Sequence, residues 1–237
     1  MLAERRVGAS EKPFQCEVNV AELRILIADD HELIRRGVRS LLEAEPGWKV
    51  VAEASDGQGA VEKAQETRPD IVVLDIAMPR LSGLEAARRL NRLLPQVKVL
   101  MLTMHESERL AWEVLNAGAR GYVTKSDTAR DLVIAIEALR REKTFFTPRV
   151  DRLMLDSFLD GSPAKRAKET YGDQLTSRQR EVVQLLAEGK TSKEVSALLN
   201  LSVKTVETHR ANIMRRLSCH CVSDLVRYAV RNNIVQP

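Results

Sequence analysis

Five short apolar runs, Leu23 to Ala28, Val50 to Ala54, Ile71 to Leu74, Val97 to Thr103 and Gly121 to Thr124, alternate with five stretches of helical apolar spacing. Those stretches are Glu32 to Ala44, Gly59 to Thr67, Leu84 to Leu94, Ser107 to Ala117 and Thr128 to Arg141. Strands joined by helices run parallel, because a helix is the usual way to carry the chain back to the same sheet edge. Strands that are apolar on successive residues need both faces covered. The spacing therefore predicts an α/β doubly wound, five-stranded parallel sheet over residues 23–142. Chemistry in such folds gathers beyond the carboxyl ends of the strands.

The rest of the 237 residues is too long to be a tail, and two compact units are expected. Residues 1–22 read as an extension and residues 143–173 as a linker, with a short helix candidate at Val150 to Leu159 ahead of the tether GSPAKRAKETYGDQ. Residues 174–237 predict a separate all-α domain of four helices. Thr176 starts the first and Gly189 stops it, the second spans Ser192 to Leu199, Ser202 caps a third over Val203 to Arg216, and the fourth covers Ser223 to Asn232. Two short helices across a tight turn, the second basic, fit a helix-turn-helix.

Charge divides unevenly. Residues 174–237 hold ten Lys and Arg against five Asp and Glu, so the excess behind the overall +4 sits in the last quarter. Such an excess can neutralise phosphates of nucleic acid. No apolar stretch approaches the roughly 20 residues of a membrane span, and the N-terminus lacks the apolar core of a secretory signal, so no membrane association and a cytoplasmic location are expected. The three cysteines suit neither a disulfide framework nor a zinc site.

The strand ends are polar. The first ends in Asp29 and Asp30, the third in Asp75, the fourth in Thr103, and the fifth runs into Lys125. An isolated Asp at a strand end is most often a helix cap, the role assigned to Asp56 and Asp70, and a lone Lys is usually solvated. Three carboxylates, a hydroxyl and an amine at one sheet edge are harder to explain that way. Clustered carboxylates repel unless a cation joins them, and hard oxygen donors suit Mg²⁺. A carboxylate so placed can also accept a phosphoryl group.

The segments LIADDHELIRRGV, VLDIAMPRLSGLEA, LTMHE and AGARGYVTKS resemble the signature regions of two-component response-regulator receiver domains, which are flavodoxin-like. The resemblance implies that Asp75 accepts phosphate from a sensor histidine kinase, that Asp29, Asp30 and Asp75 with the Ala77 carbonyl hold Mg²⁺, and that Lys125 pairs with the phosphoryl group. It makes Thr103 and Tyr122 a switch pair, and Met78, Pro79 and Gly83 loop-shaping residues. Many receivers carry Pro after the lysine, whereas Ser126 follows it here. His105 is either a loop histidine or a modifier of water access to the phosphoryl site.

At about 100° per residue, Val206, Ile213 and Leu217 form one stripe of the third helix, with Lys204, Thr208, Ala211 and Arg215 opposite. Geometry alone would leave that second face merely solvated. However, LTSRQREVVQLLAEGKTSKEV with LSVKTVETHRANIMRRL resembles the LuxR-type helix-turn-helix of NarL/FixJ-family transcription factors. The resemblance implies double-stranded DNA as partner. Glu207, Thr208 and Ala211 would be base-facing; Lys193, Lys204, Thr205, His209 and Arg210 would be phosphate contacts or local supports, with His209 equally a packed histidine, and Arg215 a further DNA-binding position. Phosphorylation is expected to expose the recognition helix and to promote a homodimer, with Val222, Leu225, Val226 and Ala229 as candidate contacts unless they are internal core.

A phosphohydrolase with an Asp nucleophile would want a second Asp two residues on, where Ala77 stands. A constitutive DNA-binding protein with a receiver used only for docking is the other alternative. The expectation is a transcription regulator and not an enzyme.

Overall fold

A computed structural model describes residues 22–104, 108–125, 129–146, 175–232 and 234–235. The extension, the linker helix candidate, His105 and Ser126 lie outside them. The first unit comprises β1 (Leu23–Ala28), α1 (Glu32–Glu43), β2 (Trp48–Ala54), α2 (Gly57–Thr67), β3 (Ile71–Asp75), α3 (Gly83–Leu93), β4 (Lys98–Thr103), α4 (Glu108–Asn116), β5 (Gly121–Thr124) and α5 (Ala129–Arg140). The sheet is parallel with order β2-β1-β3-β4-β5. The order reverses between β1 and β3, so the carboxyl ends of those two strands flank the switch point.

Alternation sorts the strand side chains onto two cores. Leu26, Ala28, Val72, Leu74, Val99, Met101 and Tyr122 pack with α2, α3 and α4. Ile25, Ile27, Ile71, Val73, Leu100, Leu102 and Val123 pack with α1 and α5. Asp56 caps α2 as expected, accepting from the Gly59 amide at 2.8 Å. Asp70 caps no helix: its carboxylate accepts from the Arg24 amide at 2.8 Å and ties the start of β1 to the turn before β3.

The receiver-like unit also runs past the expected boundary at 142. Phe145 forms a bridge with Gly121, accepting from the Tyr122 amide at 2.9 Å and donating to the Arg120 carbonyl at 3.1 Å. Those bonds satisfy the outer edge of β5, which would otherwise be open.

The second unit comprises α6 (Ser177–Ala187), α7 (Ser192–Leu199), α8 (Val203–Arg216) and α9 (Val222–Arg231). Thr176 with Gln179 and Thr191 with Glu194 form capping boxes on α6 and α7, and Ser202 accepts from the Thr205 amide at 3.0 Å to start α8. Asn200 takes a left-handed conformation, φ 51°, which turns α7 into α8, and Arg178 donates to the Leu199 carbonyl at 2.6 Å. Val182, Val183, Val195, Val206, Ile213, Leu225 and Ala229 fill this unit's core.

Gly83 shows how closely the fold is drawn around β3. A Cβ at this residue would lie 1.8 Å from the Asp75 carbonyl oxygen, a backbone atom that cannot move aside. Gly83→Ala should therefore destabilise the first unit by about 2 kcal/mol or more. Both tryptophans, Trp48 and Trp112, lie in that unit, so urea unfolding followed by tryptophan fluorescence reads it selectively.

Candidate functional site

Asp29 and Asp75 are 1% and 2% exposed, an unusual place for two acids. They close because β1 and β3 are paired, Ala28 opposite Leu74. The Lys125 ammonium sits between them, 2.6 Å from Asp29 Oδ2 and 3.0 Å from Asp75 Oδ1. Its backbone is held by β4, the Lys125 amide donating to the Thr103 carbonyl at 2.6 Å. Asp30 lies at the rim with His31, whose Nδ1 is 2.8 Å from Asp30 Oδ1 and whose amide donates to Asp29 Oδ1 at 2.8 Å.

Ligand atoms of Asp29, Asp30, His31 and Asp75 all fall within 4.8 Å of one another. Asp75 Oδ2 is buried without a hydrogen-bond partner. A buried orphan acceptor among hard oxygen donors fits a divalent cation of the Mg²⁺ class. Ala77, two residues beyond Asp75, lines a cleft with Asp30, Met78 and Pro79.

Burial pushes the Asp75 carboxyl up to about 6, opposed by Lys125 and reinforced by Asp29 and Asp30. Thr103 follows Leu102, the residue paired with Asp75. By alternation Thr103 shares a sheet face with Tyr122, which is fully buried.

In the second unit Val206 and Ile213 face the core, while Lys193, Lys204, Glu207, Thr208, Ala211 and Arg215 are exposed and His209 and Arg210 are half-buried. Thr205 is half-buried, its hydroxyl 2.8 Å from that of Ser202, which marks it as a support of the α8 start. Thr208 donates to the Lys204 carbonyl at 2.9 Å. Two of the expected dimer contacts need correction. Leu225 and Ala229 are 0% exposed and belong to the domain core, so only Val222 and Val226 remain at the surface of α9.

Periodicity missed a set of polar residues that join the units. Gln184 Nε2 donates to the Met78 carbonyl at 2.7 Å and Gln184 Oε1 accepts from the Ser82 amide at 2.8 Å. Glu181 accepts from Arg89 at 2.5 Å, and Glu188 from the Arg80 amide at 3.2 Å. Nothing in the local sequence separates these from an ordinary solvated helix face.

Comparison with known proteins decides the family. A model described as "Response regulator receiver domain" matches residues 25–137, and one described as "Bacterial regulatory proteins, luxR family" matches residues 173–229. The response regulator protein VraR of Staphylococcus aureus is 33% identical over 214 residues, covering 90% of this chain and 99% of that protein.

The chain belongs to the LuxR-type response regulators.

Among solved structures, this response regulator resembles RcsB of Salmonella typhimurium, with TM-score 0.61 and 25% identity over 90% of this chain and 98% of that one. A LuxR-family regulator from Aurantimonas sp. SI85-9A1 has TM-score 0.55 and 39% identity over 57% of this chain and 97% of that one. The regulator thus combines a receiver with a LuxR-type DNA-binding domain, the make-up of a two-component response regulator that controls transcription. Among the described residues no helix is long and apolar enough to cross a membrane.

The raised Asp75 pKa has a stability consequence. The folded state binds this proton more tightly than the unfolded chain, so stability falls as pH rises from about 4 through about 6. Asp75→Asn removes the buried charge and should stabilise the receiver by about 2–3 kcal/mol at neutral pH. The gain should shrink towards zero near pH 4, as urea titrations at a series of pH values will show.

Proposed function

We propose that Asp75 accepts a phosphoryl group from the phosphohistidine of a sensor histidine kinase, and that this switches pairing and sequence-specific DNA binding. The observation that carries the reading is the buried Asp29–Lys125–Asp75 arrangement, with Lys125 within 3.0 Å of both acids and Asp75 Oδ2 unsatisfied. A carboxyl with a pKa near 6 is ionised at neutral pH yet more basic than an ordinary Asp, which favours attack on phosphorus. In that step an Asp75 oxygen bonds to phosphorus as the P–N bond breaks, and its electron pair leaves with the histidine nitrogen. Lys125 pairs with the transferred oxygens. Asp29, Asp30 and Asp75, with the Ala77 carbonyl, would hold Mg²⁺, which supplies charge neutralisation at the transferring group.

Thr103, one residue beyond the strand partner of Asp75, is the hydroxyl placed to follow the new phosphoryl group, and Tyr122 on the same face would respond by repacking. Glu207, Thr208 and Ala211 would meet base edges in the major groove. Lys193, Lys204, His209, Arg210 and Arg215 would meet phosphates, and Thr205 would hold the start of the helix. A structure of RcsB with DNA, similar to this chain with TM-score 0.54 and 26% identity, supports DNA as the partner, and another contains two RcsB dimers on DNA. Val222 and Val226 are the surface residues assigned to pairing. A regulator acting on DNA in this way works in the cytoplasm.

Acetyl phosphate with Mg²⁺ should add one phosphoryl group, detected by intact mass, and Asp75→Asn or a chelator should abolish the addition. Uptake that persists in Asp75→Asn would overturn the assignment, and no uptake by the native chain would favour a docking-only receiver. Lys193→Ala should weaken duplex binding regardless of sequence and lower the salt slope by about 1.

A further inference from the structure

We infer that His31 brings a ring nitrogen to the cation site formed by Asp29, Asp30 and Asp75, so that this receiver holds a divalent cation of the Zn²⁺ class in preference to Mg²⁺. The inference deepens the reading of that site as a phosphoryl acceptor and rests on cation binding there.

His31 stands at the N-cap of α1 in extended backbone, φ −85° and ψ 107°. A polar side chain at that position usually accepts from an amide of the first helical turn. The His31 side chain makes no such bond. Its ring turns back over the acids instead, with Nδ1 2.8 Å from Asp30 Oδ1 and 3.3 Å from Asp29 Oδ1. The backbone keeps the ring there, because the His31 amide donates to Asp29 Oδ1 at 2.8 Å and closes a turn over residues 29–31. Arg35 anchors the same turn from α1, donating to the Asp29 carbonyl at 2.8 Å.

The acids around that ring have room for a cation. Lys125 takes Asp29 Oδ2 and Asp75 Oδ1, which leaves Asp29 Oδ1, Asp75 Oδ2 and the Asp30 carboxylate for another charge. Asp75 Oδ2 is buried with no hydrogen-bond partner, so nothing within the protein offsets its loss of water. With these groups ionised, three carboxylates against one ammonium leave the charge that a divalent ion neutralises. Ligand atoms of Asp29, Asp30, His31 and Asp75 already lie within 4.8 Å of one another. Bonds of about 2.0–2.2 Å to a shared Zn²⁺ would draw them together by about 1 Å. The His31 side chain is 48% exposed and has the freedom to make that movement.

Donor chemistry then sets which ion is preferred. Three carboxylates alone form a hard oxygen set suited to Mg²⁺, which keeps several of its waters and gains little from an imidazole. Imidazole suits the later first-row ions, and the affinity of a mixed nitrogen and oxygen site rises along that series. One ring nitrogen beside three carboxylates therefore strengthens Zn²⁺ binding and leaves Mg²⁺ binding nearly unchanged. A histidine that merely oriented Asp30 would act on both ions alike.

Isothermal titration with each metal alone separates the two roles. The protein is untagged, full-length and carries Cys16→Ser, Cys219→Ser and Cys221→Ser, so that no thiol competes for Zn²⁺. Zn²⁺ should bind at least about 100-fold more tightly than Mg²⁺. His31→Ala and His31→Asn should each weaken Zn²⁺ binding by about tenfold or more and change Mg²⁺ binding by less than about twofold. In protein labelled with ¹⁵N-histidine, Zn²⁺ should shift the ring nitrogens of His31, identified by their absence from His31→Asn, and Mg²⁺ should not. A Zn²⁺ affinity indifferent to both substitutions, or ring nitrogens that Zn²⁺ does not move, overturns the inference. Equal losses for the two ions make His31 a support of Asp30 and overturn it as well. In each of those cases Mg²⁺ still binds and Asp75 still takes up phosphate, so the acceptor reading stands. Native protein that binds neither ion removes the cation site, and the inference with it.

Discussion

One ammonium group lets the carboxyl ends of three strands coexist. Asp29 and Asp75 are almost fully withdrawn from water, and two acids so placed would repel each other with little screening. Lys125 stands within 3.0 Å of both, and its backbone is fixed to β4 through Thr103. Neutralisation is incomplete, since one cation serves two buried anions with Asp30 at the rim. Burial above all, with the neighbouring acids adding to it, keeps the Asp75 carboxyl more basic than usual, and one of its oxygens has no partner. Incomplete compensation is what makes the cluster receptive to another cation.

The loop after β3 carries this local strain of charge outward. Gly83 allows the backbone to fold back against the Asp75 carbonyl, and Ser82 begins α3 by accepting from the Glu85 amide. The loop between offers Met78 and Ser82 backbone groups to Gln184. Neutral side-chain to backbone bonds of this kind contribute about 1 kcal/mol each, so the two bonds made by Gln184 add modestly to the contact between the units.

The sheet, its five helices and the four-helix domain were legible from periodicity, with boundaries displaced by one or two residues. Asp29, Asp30, Asp75 and Lys125 were legible because strand ends are where α/β chemistry gathers, and the structure brings those four together. His31 was missed because a histidine after two acids reads as the start of a loop. Leu225 and Ala229 were drawn too far outward: a partly apolar helix face cannot say whether it meets its own domain or another copy. Glu181 and Gln184 were invisible for the opposite reason. Polar residues at helical spacing look solvated, and only the position of a second domain turns them into buried ones. Asp70 illustrates the same limit, since its partner, Arg24, is a strand residue 46 positions away.

Helix α6 faces two partners of opposite character, with Val182, Val183, Leu185 and Leu186 in its own domain and Glu181, Gln184 and Glu188 towards the receiver. When the units separate, the surface uncovered on α6 is a row of carboxylates and an amide that water solvates readily. An apolar seam of the same extent would become an adhesive patch each time it opened. On this helix, then, separation would add hydrophilic surface and not apolar surface.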